Sequence, residues 1–242
     1  MQDYKQKSKQ SFDIQAETYD HDKNGLHARN QYQAILEKVK DFQLGKVLDV
    51  GCGTGVLLEQ LLKVHGGSAN QFFGLDLSKK MLEIADSRLS EKATLVQGDA
   101  ETLPFADCTF DTVLCCDSFH HYPNPQQAII EFYRVIKPNG RLLISDYWKP
   151  FPIRQIMNLF LPYSNDGDVK IYSQKEIMAF LETVHFDVTC YEHTNSSSYI
   201  VIAKKDFDNS VLYVKFCPAT ENKNVTSQID FVRSFHVSQR WF

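Results

Sequence analysis

Asp49, Asp76 and Asp99 each stand at or just past the end of an apolar run, and a histidine pair, His120-His121, follows a fourth run. Carboxylates accept strongly from hydroxyl, amide and ammonium groups, so three of them at successive strand ends suit a ligand rich in such donors. The first lies inside VLDVGCGTG, residues 47–55, where an apolar stretch ends in glycines at positions 51, 53 and 55. Glycines there allow a tight turn and a close approach of backbone to ligand, and the helix that follows presents free N–H groups to an anionic group. The pattern points to a nucleotide-type cofactor rather than to a loop that merely turns. Asp76, 25 positions after Gly51, is placed to accept both hydroxyls of an adenosine ribose, as the acid of dinucleotide folds does. Asp99 can accept from an exocyclic adenine amino group. Asp49, beneath the glycine turn, can hold a cationic amine directly or through water. His120 or His121 can serve as a base or orient a substrate; the plainer alternative is a turn packed on the next helix.

The elements that must position these groups alternate from residue 46 onward. Strands are predicted at 46–50, 71–76, 93–97, 110–116 and 141–147. Helices are predicted at 55–64, from Ser78 as N-cap to about 89, and from Pro125 to about Lys137. Repeated βα units of this kind imply a parallel sheet with helices on both faces. Ser173 caps a further helix to Val184, and strands at 186–192 and 198–204 around a polar turn read as an antiparallel hairpin. Residues 1–45 form an N-terminal segment with a polar start and a helix from Arg29 to Lys40, and serve as a lid. Phe12, Tyr19 and Tyr32 in it are core anchors or cover a pocket, and the general burial of aromatics favours the core. Residues 46–205 are the domain proper, with 148–172, rich in proline and aromatics, as a substrate cover or a stabilising insertion. Residues 206–242 form an extension with strand character and no motif.

Composition excludes several classes. With 242 residues, 43% hydrophobic and 23% charged, the chain suits one soluble domain with a full core. Net charge is −4 and Lys/Arg occur in pairs at most in any candidate patch, which speaks against nucleic acid. The polar N-terminus is not a secretory signal, and no apolar run approaches the length of a membrane span. The cytosol is the expected compartment. Six scattered cysteines read as small buried hydrophobes, and with neither CxxC nor HExxH no zinc is indicated.

Taken in order, VLDVGCGTG, Gly74-Leu75-Asp76-Leu77-Ser78, Gly98-Asp99-Ala100 with Leu103-Pro104-Phe105, Phe110-Asp111 leading to His120-His121, and Lys137-Pro138-Asn139-Gly140 before strand five resemble the class I S-adenosylmethionine-dependent methyltransferases. SFDIQAETYD, residues 11–20, is similar to the segment ahead of the domain in the branch that includes quinone-biosynthesis methyltransferases. The resemblance implies a Rossmann-like, doubly wound α/β fold whose mostly parallel seven-stranded sheet has an antiparallel final strand. It implies S-adenosyl-L-methionine as cofactor. Gly51, Cys52, Gly53 and Gly55 would bring backbone to its methionine and ribose parts, and Asp76 would take the ribose hydroxyls. Leu77 and Met81 would pack on adenine, Asp99 and Ala100 would address its edge, and Cys116 would offer its carbonyl to the amine. Tyr19 would close over the cofactor. Cys52 and Cys116 occupy positions that vary in the family, so no thiol chemistry attaches to them.

The transferred methyl already carries a good leaving group, so orientation is the main task and a base is needed only for an acceptor that must lose a proton. The Asn-Pro-Pro-Tyr and Asp-Pro-Pro-Tyr motifs of amino-methylating DNA enzymes and a Pro-Cys nucleophile are missing after strand four. A small, partly apolar acceptor in an enclosed pocket is expected, with no nucleic-acid or membrane partner, in a monomer or homodimer. Two other readings are a nicotinamide-dependent oxidoreductase, whose GxGxxG would need glycine where Val56 stands, and a cofactor-binding module without catalysis.

Overall fold

A computed structural model describes residues 4–67 and 70–206. The β-rich reading of the C-terminal extension therefore lies outside the described residues. Seven strands, β1 (Lys46–Val50), β2 (Gln71–Asp76), β3 (Thr94–Gln97), β4 (Phe110–Cys116), β5 (Ile136–Tyr147), β6 (Phe186–Asn195) and β7 (Ser198–Lys205), form one sheet in the order β3-β2-β1-β4-β5-β7-β6. The first five are parallel, and β7 runs antiparallel to both its neighbours. Strand order reverses between β1 and β4, and a crevice opens at such a switch point outside the carboxyl ends of the strands. Asp49 lies on the interior strand β1 with Gly74 and Leu114 as its lateral partners.

The helices are α1 (Tyr4–Gln15), α2 (Leu26–Val39), α3 (Val56–His65), α4 (Lys79–Leu89), α5 (Pro125–Val135), α6 (Ile153–Phe160) and α7 (Gln174–Glu182). Their starts follow from capping. Ser78 accepts from the Met81 amide, Asn124 accepts from Gln127 ahead of Pro125, and Ser173 with Glu176 closes a full capping box. Ile35 and Val39 of α2, Leu57, Leu58 and Leu61 of α3, and Leu82 and Ala85 of α4 share one buried cluster with Val47 and Leu114. Burial of those apolar faces fixes the sheet, and the sheet fixes the ends of its strands.

Two segments carry helices whose bounds the sequence did not mark. The polar start of the chain folds as α1, which has almost no apolar face of its own and buries only Ser8. Ion pairs and hydrogen bonds hold it instead: Lys5 to Asp99 and Glu101, Asp13 to Ser78, and Ser11 and Gln15 to Asp166. Periodicity carries no signal for a helix docked in that way. The 148–172 excursion folds as α6 and a 3-10 turn, Leu161–Tyr163, with Ile153, Ile156, Leu159 and Phe160 exposed. Asn158 anchors it through paired bonds with the Ile171 backbone. Cys52, Cys115 and Cys116 are buried free thiols, and Cys190 is a half-buried one. Among the described residues no helix is long and apolar enough to cross a membrane.

Candidate active site

The glycine turn sits on the end of β2, where the amides of Gly51 and Cys52 both donate to the Leu75 carbonyl. Gly51 and Gly53 adopt φ of +76° and +54°, in the left-handed region that disfavours other residues. A Cβ on Gly51 would strike Ser118 at 2.1 Å, whereas one on Gly53 would meet nothing within 4 Å and would project into open cleft. Gly55 turns the other way, against Ala85 and Leu89 of α4, and serves the helix start.

Asp76 spans this turn. Its carboxylate accepts from the Gly53 amide at 2.8 Å on one oxygen and from the Ser78 amide at 2.8 Å on the other. Burial still raises its pKa to about 6, against the pull of those bonds. Asp49 lies one layer deeper, 2% exposed, and burial with the nearby Asp76 charge takes it to about 7. Its Oδ1 is buried and has no partner. An unpaired carboxylate oxygen under a cleft is costly unless a donor arrives from outside.

A first cleft is lined by the glycine turn, Asp76, Leu77, Met81, Asp99, Ala100 and Cys116, with Phe12, Tyr19 and Tyr32 closing it from the N-terminal side. These aromatics thus wall a pocket, although Tyr32 also packs against the core. About 100 Å³ is free inside, less than the roughly 300 Å³ at which ligand pockets begin. Asp99 is bonded to Lys5 of α1 at 2.6 Å. Asp49 and Gly55 do not reach the lining.

A second cleft, of about 300 Å³, adjoins the first and shares Phe12, Tyr19, Asp117 and His121 with it. Its far wall is Tyr147, Met157, Leu161 and Ile171, and its polar rim includes Asn24, His27, His120 and Asp168. His120 and His121 lie on the 3-10 turn Phe119–His121 after β4. The His120 amide donates to Asp146 Oδ2 at 3.0 Å and its Nδ1 lies 2.6 Å from Oδ1, so the ring orientation is fixed from the end of β5. Its Nε2 faces Asp168 Oδ1 at 3.5 Å. Burial opposes a proton on His120, yet Asp146 and Asp168 together hold its pKa well above the ordinary value. Burial and the charge of His120 push His121 the other way, to about 4.

Sequence reasoning missed Asp117, His27, Tyr147, Asp146 and Asp168. Asp117 has φ of +52° and lies between the two clefts, bonded through Oδ1 to His27 Nδ1 at 2.5 Å. His27 Nε2 in turn meets Ser198 Oγ at 2.9 Å, and its ring stacks on Tyr147 with centroids 3.7 Å apart. This Asp-His-Ser chain has the connectivity of a hydrolytic triad, but Ser198 is fully buried and has no access to a substrate. Only the DSFHHY run after β4 hinted at these partners, since they come from five separate stretches of chain.

The model of the family described as "Methyltransferase domain" matches residues 48–144, from mid-β1 to mid-β5. Residues 48–144 thus resemble a methyltransferase domain. A demethylmenaquinone methyltransferase of Lactobacillus johnsonii is 37% identical over 124 residues, 49% of this chain and 49% of its own. The ubiquinone/menaquinone biosynthesis C-methyltransferase UbiE of Haemophilus ducreyi is 35% identical over 122 residues, 48% of this chain and 47% of its own. The chain spans about half the length of the curated relatives it matches. The crystal structure of the YcgJ protein from Bacillus subtilis has the same fold, with a TM-score of 0.63 at 19% identity over 74% of this chain and 99% of that one. S-adenosyl-L-methionine is the cofactor of such a methyltransferase domain. The orphaned Asp49 oxygen, the unobstructed face of Gly53 and the strand-end acids suit a ligand that combines an ammonium, a ribose and an adenine.

Proposed function

We propose that this chain is an S-adenosylmethionine-dependent methyltransferase that acts on a small-molecule acceptor seated in the second cleft. The observation that carries the reading is the buried, unpartnered Oδ1 of Asp49 under a glycine turn whose Asp76 already faces the cleft. The cofactor supplies a methyl group on a sulfonium centre, and it leaves as S-adenosylhomocysteine. Asp76 accepts the ribose hydroxyls, and Asp49 takes the amine, directly or through one water. Gly51, Cys52 and Gly53 bring backbone to the methionine and ribose parts, and the Cys116 carbonyl faces the amine. Leu77 and Met81 pack against adenine, and Asp99 with Ala100 reads its edge. Tyr19 and Phe12 shut the cleft from above.

The shared wall of Phe12, Tyr19, Asp117 and His121 supports transfer between the clefts, because it places acceptor and methyl on either side of one narrow passage. Catalysis then rests on alignment and exclusion of water. His120 and His121 orient the acceptor rather than take its proton, since His120 is held between two carboxylates and His121 is too weakly basic at neutral pH. The mix of Tyr147, Met157, Leu161 and Ile171 with a polar rim favours a ring-bearing acceptor with oxygen substituents. The relatives named for demethylmenaquinone and ubiquinone biosynthesis support the same class.

Calorimetric titration with S-adenosylhomocysteine and with NADH tests the cofactor half. Binding of the nicotinamide alone would sink the reading. Incubation with labelled S-adenosylmethionine and a panel of hydroxylated aromatic and quinol acceptors tests the other half, where label must appear in an acceptor and not in protein or nucleic acid.

A further inference from the structure

The two histidines and Asp168 do more than pair with one another. His120 Nε2 and His121 Nδ1 each lie 3.5 Å from Asp168 Oδ1, and the three atoms lie within 4.8 Å of one another. The two 3.5 Å separations stand at the outer limit of a hydrogen bond and match the edges of a coordination polyhedron with metal–ligand distances of about 2.0–2.2 Å. His121 Nδ1 is buried, its side chain only 10% exposed, and has no hydrogen-bond partner although it points at a carboxylate. His120 gives its other nitrogen to Asp146 at 2.6 Å. A carboxylate on the far side of a histidine is the common arrangement behind a metal ligand, because it fixes the tautomer and leaves the second nitrogen to coordinate.

We infer that His120 Nε2, His121 Nδ1 and Asp168 Oδ1 form a binding site for a divalent transition ion of the zinc class, with Asp146 orienting His120. Two imidazoles and one carboxylate suit such an ion and disfavour calcium or magnesium, which take all-oxygen shells. Three protein ligands leave at least one coordination position open, as catalytic rather than structural sites do. All three line the second cleft, so the open position faces the acceptor. The ligands come from a 3-10 turn and a distant loop, and the His120 carbonyl pins the two together by accepting from the Val169 and Lys170 amides. No spacing motif arises from that arrangement, which is why the sequence pointed to no metal. That the ion there holds an acceptor oxygen rests on the methyl-transfer reading; the ion's binding does not.

Chelator-treated protein titrated with Co2+ should develop visible d–d absorption that saturates at one ion per chain, and Zn2+ should displace it. X-ray absorption at the bound zinc should give nitrogen and oxygen neighbours and no sulfur. Asp168→Ala and His121→Ala should each weaken Zn2+ by at least about 100-fold, and Asp146→Asn by about 10–100-fold. S-adenosylhomocysteine affinity should stay within about twofold in Asp168→Ala and Asp146→Asn, whose residues lie outside the first cleft, which also reports that they are folded, and circular dichroism reports the fold of His121→Ala. Absence of Co2+ absorption, a sulfur-bound ion, or undiminished Zn2+ binding in folded Asp168→Ala would each overturn the site. If a variant fails to fold, the absorption spectrum of the unaltered protein decides alone. Metal binding without methyl transfer to any acceptor would count against the proposed function and leave the site standing.

Discussion

The two clefts that meet at Phe12 and His121 are built by opposite means. The first takes its wall from consecutive strand ends and uses backbone wherever it can: the Gly51 and Cys52 amides on Leu75, the Gly53 amide on Asp76. The second gathers its residues from α1, α2, the turn after β4, the end of β5, and the 148–172 excursion. A wall held by backbone bonds keeps its shape through most substitutions, so it suits a ligand that never changes. Side chains on separate segments can be exchanged one at a time, so they suit a ligand that differs from relative to relative. On the methyl-transfer reading, donor recognition is therefore fixed by topology here, and acceptor recognition by local choice.

The contrast breaks most sharply at Asp76. Asp76→Ala removes two charge-assisted acceptors of about 1.5–3 kcal/mol each, so S-adenosylhomocysteine affinity should fall at least about 100-fold by calorimetry. Unchanged affinity would remove the ribose assignment.

Proton linkage is the next largest effect. Asp49 titrates at about 7 in the fold against 3.8 ordinarily, because burial penalises its charge. Between those values the folded chain keeps a proton that the unfolded chain has lost. Stability of the ligand-free protein should therefore fall as pH rises from about 4 to 7, by up to about 1.4 kcal/mol per pH unit, in denaturant titrations. A cationic ligand reverses the sign: binding should strengthen with rising pH across that window and release a proton, read as a buffer-dependent calorimetric enthalpy near pH 6.5. No buffer dependence would mean that Asp49 does not meet the amine.

Gly53→Ala should cost about 1–2 kcal/mol through its positive φ and lower cofactor affinity roughly tenfold, with little effect on the second cleft. Tyr147→Ala makes the reciprocal test. Loss of its stacking on His27 should raise acceptor KM about three- to tenfold and leave cofactor affinity within twofold.

How much of this could be read in advance follows the same divide. Asp76, Asp99 and the glycine turn were legible because each directly follows an apolar strand and its position in the sheet follows from the βα rhythm. The parallel run of β1 to β5 was legible for the same reason, and the β6–β7 hairpin from its polar turn, whereas the strand order was not read. Asp117, Asp146 and Asp168 were not, since their partners lie on other segments and no local pattern couples them. Nor was α1, whose hold on the domain is ionic. Phe12 and Tyr19 show the cost of a general rule: aromatics are commonly buried in cores, but Phe12 lies on a helix with little apolar face, and it lines a pocket together with Tyr19 just beyond that helix.

The smallest expected effect concerns α1 itself. Lys5→Ala removes a partly exposed pair of bonds to Asp99 and Glu101 and should change cofactor affinity only two- to fivefold, more at low salt than at high.

Yet the attachments of α1 have a consequence larger than any one of them. Near its start the helix is tied to Asp99, beside the first cleft, and near its end Ser11 and Gln15 are tied to Asp166, on the rim of the second. Lifting it for one ligand breaks bonds that belong to the surroundings of the other. On the methyl-transfer reading, the occupants of the two clefts are thus coupled through one helix, whose ties are shared between them.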